Sequence, residues 1–188
     1  MVTLGARRHF GSKAGNRSVQ DRWLLSAAAV FTVAVLVHTA DHVRRGVDAT
    51  GRDVFWLGTA GVVLEVGVVV LACQRHRLAP LAAAVAGLAL AAGYVSVHFL
   101  PARSWLSDSF TSASTVSPLS WAAASLEIVA ALALAGTGLV VLAQRGGLAS
   151  TVEPNPGERR LSQGLLHPLA AVMIVGMAVM LGISFAQL

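Results

Sequence analysis

A group of ionisable residues at the end of the first apolar stretch could bind a metal ion. His38 and His42 stand four residues apart, with Asp41 beside them. On a helix, residues spaced by three and four positions lie on one face, so these three side chains project together. Imidazole suits zinc, copper and iron, and a carboxylate widens the choice of ion. The segment therefore predicts part of a transition-metal site.

Three further ionisable residues lie inside apolar stretches elsewhere in the chain. His98 offers a third imidazole, and Glu65 and Glu127 offer carboxylates that either bind the ion or orient its histidine ligands. Ionisable groups cost energy in hydrocarbon, which makes such a set a functional hypothesis. The predicted metal ligands are thus His38, Asp41, His42, His98, Glu65 and Glu127. An ion held there would lower the pKa of a bound water and support hydrolysis or hydroxylation.

A haem group is an alternative cofactor for two of these histidines. His38 and His98 occur at corresponding positions of two similar segments and could bind one haem iron from opposite sides. Cys73 is the single cysteine and no CxxCH motif occurs, so the haem would be b-type. Only one such histidine pair exists, which does not support electron transfer through stacked haems.

Interpretations without a cofactor remain open for the same residues. The two histidines near Asp41 could be polar residues of the membrane interface, with Asp41 paired to Arg44 or Arg45. The glutamates could be protonated and purely structural. The protein would then be a non-enzymatic membrane subunit or a small transporter component that handles protons or substrate. The sequence is compatible with both an enzyme and a non-enzymatic subunit. The chain has no P-loop, GxSxG or HExxH motif and no dinucleotide fingerprint, which argues against ATP hydrolysis and serine-type catalysis.

The elements that carry these residues are predicted to be membrane-spanning helices. Of the 188 residues, 55% are hydrophobic and 12% are charged, about half the charged share of a soluble domain. Five stretches approach or exceed the roughly 20 residues that cross a bilayer as a helix. They are 23–40, 54–73, 78–100, 119–143 and 165–186. We expect an all-α, polytopic membrane helix bundle with five transmembrane helices in contact with the lipid bilayer.

The first four helices resemble a duplicated two-helix hairpin, over about 22–77 and 78–145. The shift from His38 to His98 is 60 positions and that from Glu65 to Glu127 is 62, and the hairpins end in VLACQR and VLAQR. Such parallel repeats tend to hold a site between them. The fifth helix has no counterpart, so we expect it to be peripheral or to form a contact in a homo-oligomer or larger membrane complex.

The distribution of basic residues predicts the orientation in the cell membrane. Ten of the fourteen lysines and arginines fall on the side of the N-terminus and four, Arg103 among them, fall on the other side. The positive-inside rule then places the N-terminus in the cytoplasm and the C-terminus outside. The net charge of +5 reflects this asymmetry, and no nucleic-acid partner is expected. The predicted segments are a flexible basic tail (1–21), the four-helix core (22–145), a cytoplasmic loop (146–164) and the fifth helix (165–188).

Small residues predict which helix faces meet. Transmembrane helices approach closely where glycine and alanine recur on one face. In the third and fourth stretches this face also carries His98 and Glu127, and in the second it carries Glu65, so these groups should point into the bundle. The positions are Gly58, Gly61 and Glu65; Pro80, Ala84, Gly87, Ala91, Tyr94 and His98; and Ser120, Ala124, Glu127, Ala131 and Gly138. The outer loop between the third and fourth stretches carries Trp105 and Phe110 and could cover the end of the bundle.

Overall fold

The structure is a helical bundle in which every regular element is a helix, over the part of the chain that can be described. A computed structural model describes residues 7–46, 49, 51–101, 107–111, 114–152 and 157–186, with side chains from Gly15 onward. Four long helices come first: α1 (Arg7–Arg45), α2 (Arg52–Cys73), α3 (Ala79–Tyr94), which continues as a π-helix (Val95–Phe99), and α4 (Pro118–Gln144). A 3-10 helix (Gly147–Thr151), a short α5 (Leu161–Leu165) and α6 (Pro168–Phe185) follow.

Five segments are long and apolar enough to cross a membrane, as the sequence predicts. They are Gly15–Arg45, Arg52–Cys73, Ala79–Phe99, Pro118–Gln144 and Pro168–Phe185. The polytopic all-α bundle is therefore confirmed at the level of helix number, length and composition. The hairpin duplication and the orientation in the membrane remain predictions. Arg103 and Trp105 lie outside the described residues.

Helices α3 and α4 are held together by a close approach of their backbones. A Cβ atom at Gly87 would lie 2.5 Å from the carbonyl oxygen of Ala131, and one at Gly138 would lie 2.5 Å from that of Pro80. Only glycine allows this separation at both points, because any side chain would force the helices apart. The prediction that small residues let helices approach closely is confirmed for α3 and α4, and His98 and Glu127 of these helices are buried as expected.

The core of the bundle lies where α4 packs along both α1 and α3. Phe31 of α1 and Leu134 of α4 are fully buried there. Helix α6 packs against α1 and α2, where its Met173 and Met177 are buried. Met side chains on this helix thus serve as apolar packing. Ala170, Met173 and Met177 of this helix belong to the same buried cluster as Phe31 and Leu134. The expected role of the fifth helix in an oligomer stays a prediction.

Helix α1 reaches further towards the N-terminus than the span predicted from hydropathy. It begins at Arg7, inside the segment predicted to be a flexible tail. The polar residues that lower hydropathy there are used for contacts with the end of α4. Gln20 donates a hydrogen bond to Gln144 at 3.1 Å, and Arg145 forms an ion pair with Asp21 at 2.6 Å. These contacts secure the bundle at the end opposite the histidines.

Candidate metal centre

Three histidines from two helices converge at one end of the bundle. His38 and His42 come from the last turns of α1, and His98 comes from the π-helix that ends the third spanning segment. Their ring centres are 4.6 Å apart for His38 and His42, 4.8 Å for His38 and His98, and 5.4 Å for His42 and His98. One ring nitrogen from each lies within 4.8 Å of the other two. π-Helical turns often mark functional sites, and this one presents His98.

Glu127 orients His38 from α4. The Nδ1 atom of His38 contacts Oε2 of Glu127, and both residues are buried. A carboxylate at Nδ1 favours the tautomer that keeps its proton there, which leaves the lone pair on Nε2. Among the described residues, Nε2 of His38 is buried without a hydrogen-bond partner. This is the arrangement in which an imidazole is prepared to bind a metal ion.

Asp108 orients His98 from the loop between α3 and α4. Nδ1 of His98 lies 3.2 Å from the backbone oxygen of Asp108 and 3.5 Å from its carboxylate. Arg45 binds the same carboxylate at 2.6 Å. Burial alone would raise the pKa of the Asp108 carboxyl group, but its hydrogen bonds to His98 and Arg45 and the Arg45 charge hold that pKa well below its usual range. Asp108 therefore contributes a fixed negative charge beside the histidines.

His42 is the histidine least prepared to act as a ligand. Nη2 of Arg45 donates to Nδ1 of His42 at 3.0 Å, because a guanidinium group has no acceptor. In this arrangement the proton of a neutral His42 lies on Nε2. Metal binding through His42 therefore requires either loss of that proton or rotation of the ring away from Arg45. The charge of Arg45 is balanced by Asp41 at 3.2 Å and by Asp108.

Asp41 faces the arginines and not the three histidines. Its carboxylate forms ion pairs with Arg44 at 2.8 Å and with Arg45 at 3.2 Å. Arg44 also donates to the hydroxyl groups of Ser117 and Ser120, which begin α4. The sequence placed Asp41 among the metal ligands, but the structure puts it in the ion pairs of the alternative interpretation. The physical reason is that two permanent cations lie one helical turn away on the same helix.

Glu65 is joined to the site through Tyr94. The Tyr94 hydroxyl donates to Oε1 of Glu65. Oε2 of Glu65 is buried without a hydrogen-bond partner among the described residues. Glu65 is thus separated from the histidines by a tyrosine, and Glu127 contacts one directly. Neither glutamate belongs to the three side chains whose ligand atoms could share an ion.

A cavity of about 420 Å³ lies directly beside the three histidines. Its polar boundary includes Glu65, Tyr94 and Glu127, and its other walls are largely apolar residues of α2 and α3. This volume falls within the range of roughly 300–1,000 Å³ that is typical of small-molecule sites. Metal ligands at the wall of such a cavity could act on a molecule bound within it.

The loop before α4 packs over His98 at this end of the bundle, and a cover formed by this loop was one of the expectations from the sequence. The Phe110 ring lies 4.6 Å from that of His98 and 5.4 Å from that of Trp121. The Phe110 amide donates to the His98 carbonyl at 2.9 Å. Phe110 is buried, so it seals the site instead of facing the membrane interface.

Sequence reasoning missed three residues of this site. The sequence indicated only that Asp108 lies in a loop and that Arg45 could pair with Asp41. It placed Tyr94 only on a helix face that packs. A signal for Tyr94 existed, because the only tyrosine of the chain lies four residues before His98 on a face predicted to point inward. No comparable pattern marked Asp108, since its contacts depend on how the loop folds back.

The chain matches no protein-family model, no curated protein and no solved structure. The roles given to its residues therefore come from their geometry and chemistry alone.

Proposed function

We propose that His38, His42 and His98 bind a transition-metal ion within the membrane, and that the ion supports redox or metal-assisted chemistry on a molecule in the adjacent cavity. The convergence of three imidazole nitrogens, drawn from two helices, carries this proposal. Three protein ligands with a fourth position open to a cavity is the pattern of catalytic metal sites rather than of structural ones. Zinc, copper and iron all suit an imidazole set.

The distances support an ion of ordinary size. Nitrogens around a tetrahedral ion with bonds of about 2.0 Å are about 3.3 Å apart. The ligand nitrogens here lie within 4.8 Å of one another, so small side-chain rotations would bring them to bonding distance. His38 and His98 each have their Nδ1 atom supported by an acidic residue, which leaves Nε2 as the ligand atom. His42 would join last, after Arg45 releases its ring.

The same distances favour a bare ion over b-type haem. The His38 and His98 rings meet edge to face, with centres 4.8 Å apart. Rings in direct contact leave no gap for a macrocycle between them. Haem binding would require α1 and the π-helix to separate.

A second candidate function rests on the contact between Arg45 and His42. A guanidinium group that occupies a ring nitrogen suits a polar network without an ion. The protein would then be a non-enzymatic membrane subunit or small transporter component, whose histidines and carboxylates handle protons or secure helix packing. Buried polar networks of this kind are stable when each group has a partner.

Metal content separates the two candidates. The protein is purified in detergent through an affinity tag without histidine, and metal per chain and the visible absorption spectrum are measured. The variants are His38→Ala and His98→Ala. His76→Ala and His167→Ala are matched controls, since His76 pairs with Glu158 at 2.9 Å and His167 caps α6, both away from the cluster.

The proposal predicts close to one metal ion per chain in the wild type and in both controls, and background levels in the two site variants. A Soret band would instead identify haem. A metal-free wild type that gains no stability from added zinc, copper or iron would contradict the proposal and favour the subunit.

A further inference from the structure

The cavity has one polar corner that lacks a partner. Oε2 of Glu65 is buried and makes no hydrogen bond within the described residues, although Oε1 is held by Tyr94. A buried acceptor without a partner is destabilising, so a ligand that forms a hydrogen bond with it gains affinity. Glu65 lines the cavity. A hydroxyl group can both donate and accept, and it would therefore suit Glu65 in either protonation state.

Several residues of the cavity wall lie on the outer surface of the candidate spanning helices. Leu57 and Leu64 of α2 line the cavity and are 48% and 45% exposed. Ala89 and Gly93 of α3 also line it and are exposed. All four belong to spanning segments, where exposed side chains meet lipid. The cavity therefore opens sideways, between α2 and α3.

The closed end of the bundle makes a different route less favourable. The loop carrying Asp108 and Phe110 covers the histidines at that end, where both side chains are buried. A water-soluble molecule that approached His98 from this end would meet the buried Phe110 ring, which lies 4.6 Å from the His98 ring. A lipid-soluble molecule that enters between α2 and α3 meets mostly apolar side chains there.

We infer that the cavity takes a single-chain, membrane-soluble alcohol, which enters from the bilayer between α2 and α3 and places its hydroxyl group at Glu65. The inference rests on the proposed function, because it names the class of molecule that would reach the metal centre. The apolar chain lies along the walls formed by α2 and α3. The hydroxyl end then lies beside Tyr94 and the histidine cluster, where the chemistry would occur.

Glycines provide a way to fill the cavity without disturbing the fold. A Cβ atom at Gly93 would meet no atom within 4 Å, and Gly93 lines the cavity. Gly67 of α2 has the same open surroundings and does not line it. Gly93→Leu should therefore block the entry, and Gly67→Leu is a control with the same change in size and in helix propensity.

The test uses photolabelling in vesicles. Wild-type protein, Gly93→Leu and Gly67→Leu are reconstituted in phosphatidylcholine with a trace of a diazirine-bearing long-chain alcohol. Labelled peptides are mapped by mass spectrometry, with unlabelled alcohol or an alkane of equal length as competitor at matched mole fraction. Metal content is measured on the same samples.

We expect saturable labelling of α2 and α3 in the wild type and in Gly67→Leu, and at least about a fivefold loss in Gly93→Leu. The alcohol should compete about tenfold better than the alkane, as one hydrogen bond allows. Equal labelling of Gly93→Leu and wild type, or equal competition by the alkane, would overturn the inference. Saturable labelling of a protein that binds no metal would contradict the proposed metal site and support the alcohol site. Bound metal without saturable labelling would support the metal site and contradict the alcohol site.

Discussion

The two histidine-bearing hairpins have similar sequences, but their buried groups are supported by different partners. His38 of the first hairpin contacts Glu127, the glutamate of the second. His98 of the second does not contact Glu65 but is held by Asp108 of the loop. Glu65 is held instead by Tyr94, four residues before His98. The likeness in sequence therefore does not extend to the contacts.

This difference divides the work between the two glutamates. Glu127 supports a candidate metal ligand, and Glu65 presents an unpaired oxygen to the cavity. The loop supplies the support for His98 that a symmetric site would take from α2. The two glutamates stand at corresponding positions but differ in role: Glu127 orients a histidine, and Glu65 offers an oxygen for binding.

The largest effect should come from the glutamate pair. Glu127→Gln removes the carboxylate that orients His38, and loss of such a group lowers metal affinity by about 10–100-fold. Glu65→Gln should change it by less than about threefold, because Glu65 contacts Tyr94 and no histidine that could bind the ion. Competition with a chelator measures both affinities. Equal losses of affinity would mean that Glu127 and Glu65 have the same role at the site.

A smaller effect is expected for Asp108→Asn. The variant weakens the carboxylate contact to His98 but keeps the backbone oxygen at 3.2 Å. We therefore expect metal affinity to fall by about 3–10-fold, less than for Glu127→Gln. Asp53→Asn is the control, since Asp53 is exposed at the start of α2. A loss at Asp108 as large as that at Glu127 would show that the loop is the principal support.

The smallest effect on the metal should come from Tyr94→Phe. The variant removes the hydrogen bond from Tyr94 to Oε1 of Glu65, and Oε2 already lacks a partner among the described residues. We expect this loss to destabilise the protein by about 1–3 kcal/mol. Metal affinity should stay within about twofold, because Tyr94 is no ligand. Thermal unfolding in detergent measures the stability. Thr59→Val is the control, since the Thr59 hydroxyl donates to the carbonyl oxygen of Phe55 in its own helix at 2.9 Å, and we expect this variant to cost less than about 0.5 kcal/mol.

Hydropathy and small-residue patterns predicted most of the fold. The five spans agree with the structure because bilayer thickness sets helix length, and the α3–α4 contact agrees because Gly87 and Gly138 allow close approach. The N-terminal extension of α1 was missed, since polar residues such as Gln20 and Asp21 are satisfied there by α4. Hydropathy cannot distinguish a polar tail from a polar helix with distant partners.

The candidate site was only half predictable. The gathering of His38, His42 and His98 was expected, because all three lie near the same end of their helices. Asp41 pairs with Arg44 and Arg45 instead of a metal ion. Asp108 reaches His98 only because the loop folds back. Those contacts have no periodic signature in the sequence.

We propose that three histidines together hold one ion, and the number of imidazoles bound to the metal tests this directly. X-ray absorption at the metal edge of the purified protein counts the imidazoles bound to it and measures the bond lengths. We expect three imidazole nitrogens at about 2.0 Å in the wild type, and two in His98→Ala after metal is added. A shell of oxygen atoms alone, or an imidazole count unchanged by His98→Ala, would contradict it.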